Sequence, residues 1–110
     1  MEKRILIWND NDLLGEVKIY NEKGDLNERI IYEYNKNDKL LNFSNKRRRT
    51  FYEYDDKRLI SDSTIYLENF GNVKKGDTRL IKYNYYKKNA KTFCDVKRKD
   101  RGFNVVKMDV

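Results

Sequence analysis

The chain is written in short stretches where apolar and polar residues alternate, and each stretch breaks at a cluster of Asn, Asp, Lys or Gly. A period of two places successive side chains on opposite faces of a strand, and helical spacing is not sustained in any window. Ile30, Tyr32 and Tyr34 therefore share one face, as do Thr50, Tyr52 and Tyr54, and again Ile81, Tyr83 and Tyr85. The intervening clusters are rich in residues that tolerate positive φ or bond their own backbone, so they read as hairpin turns. They are Asn9-Asp10-Asn11-Asp12, Asn21-Glu22-Lys23-Gly24-Asp25, Asn35-Lys36-Asn37-Asp38, Asp55-Asp56-Lys57 and Lys87-Lys88-Asn89, with a further turn predicted over residues 97–102. The expected fold is all-β: an antiparallel β-hairpin meander, as a single twisted sheet or a small open barrel-like sheet. One domain covering residues 1–110 is expected, since two cores would leave too little apolar side chain for either.

Charged residues make up 39% of the chain, which raises the question of whether it folds. Leu, Ile, Val and Phe supply 28 of the 110 residues, above the roughly 20% below which disorder is the expectation. Nine tyrosines and one tryptophan add large apolar area. Cross-strand aromatic pairs, worth roughly 0.2 to 1 kcal/mol each, can then hold the register.

Aligned on their aromatic residues, the turns reveal a degenerate repeat of aromatic, turn and leucine. Trp8-Asn9-Asp10-Asn11-Asp12-Leu13 matches Tyr20-Asn21-Glu22-Lys23-Gly24-Asp25-Leu26 and Tyr34-Asn35-Lys36-Asn37-Asp38-Lys39-Leu40. Tyr54-Asp55-Asp56-Lys57-Arg58-Leu59 is a shorter copy, and Tyr86-Lys87-Lys88-Asn89-Ala90 a worn one. The stretch Tyr52-Glu53-Tyr54-Asp55-Asp56-Lys57-Arg58-Leu59 resembles the YD repeats of Rhs-type proteins, although it lacks their glycine. That resemblance implies β-hairpins paired in a winding sheet. It carries no catalytic residue, and so few copies would not enclose a shell.

Net charge is +7, and all of the excess lies in the second half. Residues 1–55 carry 11 basic and 11 acidic side chains, and residues 56–110 carry 14 and 7. The basic clusters are Lys46-Arg47-Arg48-Arg49, Lys97-Arg98-Lys99 with Arg101, and the pairs Lys74-Lys75 and Lys87-Lys88. If they converge beside Tyr83, Tyr85 or Tyr86, they form a charged surface with stacking rings, the combination that binds single-stranded nucleic acid. The candidate binding residues are thus Lys46, Arg47, Arg48, Arg49, Tyr85, Tyr86, Lys87, Lys88, Lys97, Arg98, Lys99 and Arg101.

Histidine is absent, which removes the usual general base, the Ser-His and Cys-His pairs and the commonest zinc ligand. The single cysteine, Cys94, lies in a strand-like stretch and is expected to be a buried, inert thiol. Glu16-Val17-Lys18 preceded by Asp10 and Asp12 has the superficial spacing of a metal-dependent nuclease, but a chance match is the better explanation in so charged a chain. The glycines are scattered, so no phosphate loop is expected. No cofactor is expected. The apolar run Ile5-Leu6-Ile7-Trp8 is too short for a signal peptide, so a cytoplasmic chain without a membrane span is the expectation. The functional expectation is a non-enzymatic binding protein that engages another protein or a ribonucleoprotein, by analogy an inhibitor or immunity-type factor. Nucleic-acid binding through the basic half is the alternative, with a histidine-free ribonuclease as a remote third. A meander leaves two open edges, so monomer and weak dimer are both tenable.

Overall fold

A computed structural model describes residues 2–102. Eight strands follow one another: β1 (Lys3–Trp8), β2 (Leu14–Tyr20), β3 (Leu26–Tyr34), β4 (Leu40–Ser44), β5 (Arg48–Asp55), β6 (Arg58–Tyr66), β7 (Thr78–Lys88) and β8 (Lys91–Arg101). They hydrogen-bond in sequence order as one antiparallel sheet, β1-β2-β3-β4-β5-β6-β7-β8, with β1 and β8 at its two edges. The sheet is an open meander and does not close into a barrel. Its extents are 57 × 39 × 21 Å, a plate without a second layer.

Each early hairpin is closed by one device. Asn9, Asn21 and Asn35 use their side-chain oxygens to accept two backbone N–H groups each, from positions two and four residues further on, at 2.8 to 3.0 Å. The chain then passes through positive φ at Asp12 (61°), Gly24 (86°) and Asp38 (61°). Asp and Gly occupy these positions because they bear left-handed backbone at low cost. The leucine after each turn then pairs with the aromatic residue before it: Trp8 with Leu14, Tyr20 with Leu26, Tyr34 with Leu40. The first copy closes on Leu14 rather than Leu13, which makes the three units identical in length. A register shift accompanies every such pair, and it recurs at Tyr54 and Leu59. The extra residues, Gly15, Asn27, Leu41 and Ile60, are β-bulges that strengthen the local twist.

Two predicted turns lie elsewhere. Lys97, Arg98, Lys99, Asp100 and Arg101 belong to β8, each opposite a β7 residue from Lys82 back to Thr78. Lys87 and Lys88 end β7, and the turn is Asn89-Ala90, both at positive φ. In both places composition predicts a turn, whereas cross-strand pairing along an 11-residue hairpin arm holds the cationic run extended.

Register and alternation sort the side chains onto two faces. One face is aromatic: Val17 and Ile19, 7% and 6% exposed, lie with Ile30, Tyr32, Phe43, Thr50, Thr64 and Tyr66. Tyr32 meets Phe43 edge-on at 5.4 Å, and the buried Thr50 and Thr64 hydroxyls hydrogen-bond across β5 and β6 at 2.8 Å. At three of the four bulges the leucine carbonyl is capped by a tyrosine of the following strand on this face. Tyr34 donates to Leu14 O at 2.7 Å, Tyr54 to Leu40 O at 2.8 Å, and Tyr85 to Leu59 O at 2.8 Å. The Tyr-x-Tyr pattern is thus the mate of the leucine repeat: a bulge interrupts the ladder, and a hydroxyl satisfies the carbonyl there.

Burial lifts the hydroxyl of Tyr83, and its hydrogen bond to Asp62 Oδ2 at 2.7 Å adds to the effect, so that its pKa is pushed up from 10.0 to about 12. Tyr34, Tyr52 and Tyr54 are also raised, burial being the leading cause in each. A folded-state pKa above the unfolded value contributes stability that is whole below pH 10 and lost as pH climbs through 10 towards 12. Circular dichroism against pH will show the sheet weakening across that window. Tyr83→Phe will make the loss shallower, and an unchanged profile would remove Tyr83 from the account.

Candidate interaction surface

The opposite face carries the charge. In its N-terminal half the signs balance: Arg29 Nε lies 2.6 Å from Glu16 Oε2, and this hydrogen bond holds the Glu16 carboxyl below its usual range. Among β5 to β8 the balance fails. Three consecutive cross-strand rows run Arg49-Ile65-Thr78-Arg101, Phe51-Ser63-Leu80-Lys99 and Glu53-Ser61-Lys82-Lys97. With strands about 4.8 Å apart, Arg49 and Arg101 are about 14 Å from each other, and the three rows cover a similar length along the strands. The result is a flat patch with an apolar centre and a basic surround. Phe51 is 41% exposed and Ile65 38%, and Leu80 is half-buried. Arg49, Lys82, Lys97, Lys99 and Arg101 are all exposed, with Glu53 as the one carboxylate in these rows. The Arg49 guanidinium lies 5.4 Å from the centre of the Phe51 ring. Among the described residues no ion pair ties any of these five cations to a carboxylate.

Alternation divides the sequence clusters. Arg48 and Arg98 point to the aromatic face: Arg48 lies 5.5 Å from the Phe43 ring, Arg98 Nε is 3.0 Å from Asp100 Oδ2, and Arg79 Nε forms an ion pair with Oδ1 of the same carboxylate at 3.6 Å. Arg47 lies 4.3 Å from the centre of the Phe70 ring and 3.3 Å from Glu68, at the rim beside the exposed Lys46. Tyr85 does not offer a stacking platform beside the basic patch, because it is half-buried on the aromatic face with its hydroxyl engaged. Tyr86 is on the patch side, stacked on Phe93 with centroids 5.5 Å apart and 19° between planes. It stands eight residues along β7 from Thr78, about 27 Å away, among Lys88 and Lys91 at the hairpin tip. Lys87 alternates to the aromatic side. The expected groove of cations and rings is therefore not assembled.

Sequence reading passed over Phe51, Ile65, Leu80 and Lys82. For Phe51, Leu80 and Lys82 the signal is present in alternation, since each is one residue out of phase with Thr50, Tyr52, Ile81 or Tyr83, but the assembly with Ile65 depends on register across four strands. Cys94 is exposed rather than buried, because it sits on β8, the edge strand of the sheet among the described residues.

Among the described residues no group of three or more His, Cys, Asp or Glu is placed to hold a metal ion, and no helix is long and apolar enough to cross a membrane. No protein-family model, curated protein or solved structure matches the chain.

Proposed function

We propose that the chain is a non-enzymatic binding module that engages a protein with an acidic surface through the basic face of β5 to β8. The observation that carries this reading is the co-planar set Arg49, Lys82, Lys97, Lys99 and Arg101 around exposed Phe51 and Ile65 and half-buried Leu80. An apolar centre with a polar rim is the anatomy of a protein interface, and complementary charge steers the encounter.

Nucleic-acid binding is the second reading, favoured by the exposed Tyr86 and Phe93 rings near Lys88 and Lys91. One experiment separates the two. Tagged protein is passed through lysate at low salt, with and without nuclease, beside a Lys97→Glu/Lys99→Glu variant whose circular dichroism matches the wild type. The expected result is a stoichiometric protein retained in both lysates and bound at least about tenfold more weakly by the variant, since like charges in an interface cost several kcal/mol. Retention abolished by nuclease would transfer the reading to nucleic acid. Retention of nothing by the wild type would end both.

A further inference from the structure

The two edges of the sheet are built differently. Edge β8 carries Lys91, Lys97, Arg98, Lys99 and Arg101, and charge of this kind discourages strand addition. Edge β1 is exposed throughout, and Ile5, Leu6, Ile7 and Trp8 follow one another along it. Its only register shift, between Ile7 and Trp8, puts the extra residue, Gly15, on β2, so β1 remains regular. The direction of its backbone groups follows from the first turn. Asn9 donates its N–H to Leu13 O, towards β2. Alternation then turns the groups of Ile7 and Ile5 to β2, and those of Arg4, Leu6 and Trp8 outward.

We propose that β1 is a self-pairing edge, to which a second copy of this chain adds its own β1 antiparallel about a two-fold axis through Leu6. An isologous contact requires a surface complementary to itself. With the axis at Leu6, that residue faces its own counterpart, Ile5 meets Ile7 on the charged side of the sheet, and Arg4 meets Trp8 on the aromatic side. A guanidinium and an indole attract one another in that position. Neighbouring registers are poorer. An axis at Ile5 sets Lys3 against Ile7 and Glu2 against Trp8, and an axis at Ile7 sets Ile5 against Asn9, where the chain has entered its turn. Pairing at Leu6 keeps the aromatic faces of both copies on the same side, and it extends the buried cluster of Val17 and Ile19 with Leu6 and Trp8 of two chains. The contact lies at the opposite end of the strand order from the basic patch, so it stands or falls independently of the proposed function.

Sedimentation equilibrium of the full chain tests it, with two variants. Leu6→Pro removes an outward N–H and leaves the β1 to β2 ladder its donors, as proline on an edge strand does. The expected result is twice the monomer mass for the wild type and the monomer mass for a Leu6→Pro variant with unchanged circular dichroism. In a Cys94→Ser background, Leu6→Cys will form an interchain disulfide on mild oxidation and Ile7→Cys will not. Directly opposite, hydrogen-bonded residues have Cα atoms about 5.5 Å apart, within disulfide reach. A wild type that is monomeric at every concentration, a folded Leu6→Pro dimer, or the absence of a Leu6→Cys disulfide would each overturn the proposal. Should Leu6→Pro fail to fold, the disulfide pair decides it.

Discussion

Ile19→Ala lowers the unfolding free energy by about 2 to 4 kcal/mol, the range for truncating a buried aliphatic side chain. Ile19 is 6% exposed on the aromatic face of β2, where β1 and β3 flank it. A domain of this length has a total stability of about 5 to 15 kcal/mol, so one substitution removes a large share of it. Phe51→Ala removes more atoms but costs about 1 kcal/mol or less, because that ring already stands in solvent on the charged face. Urea unfolding should show the midpoint falling steeply for Ile19→Ala and little for Phe51→Ala, with similar slopes. Equal losses would mean that the two faces are covered alike and would sink the single-layer account of the core.

The triple substitution Tyr34→Phe, Tyr54→Phe and Tyr85→Phe costs about 3 kcal/mol, roughly 1 for each neutral hydrogen bond lost. All three hydroxyls donate to the carbonyl of a leucine that follows a turn, at Leu14, Leu40 and Leu59. The rings remain, so packing is preserved and the loss isolates the capping of the bulges. The three sites lie on separate hairpins, and their effects should add. Thermal unfolding of the single, double and triple variants measures this. A triple variant as stable as the wild type would show that water satisfies the three carbonyls equally well.

These two experiments probe one design. The bulge after four of the turns bends and twists the strand, which helps a single-layered sheet to fold its aromatic side chains down over neighbouring strands. Among the described residues that arrangement leaves no side chain fully buried, and it leaves the charged face flat.

Local order at the first three turns and along the Tyr-x-Tyr strands is legible in the sequence. Alternation identified Tyr32 and Tyr34, Tyr52 and Tyr54, and Tyr83 and Tyr85 as face-sharing pairs, and Asn-x-x-Asp or Asn-x-x-Gly identified the first three turns. Those features depend on neighbours within a few positions, through dihedral preference and side-chain bonds to the adjacent backbone. Residues 97–101 were misread because composition alone does not distinguish a cationic turn from a cationic strand, and only the facing β7 partner decides between them. The tertiary structure alone decided which cations share a face. Arg98 and Lys99 are adjacent in the chain yet lie on opposite sides of the sheet, whereas Arg49 and Arg101 are 52 residues apart and end one row. A strand's period of two separates neighbours, and register across successive hairpins brings distant residues together.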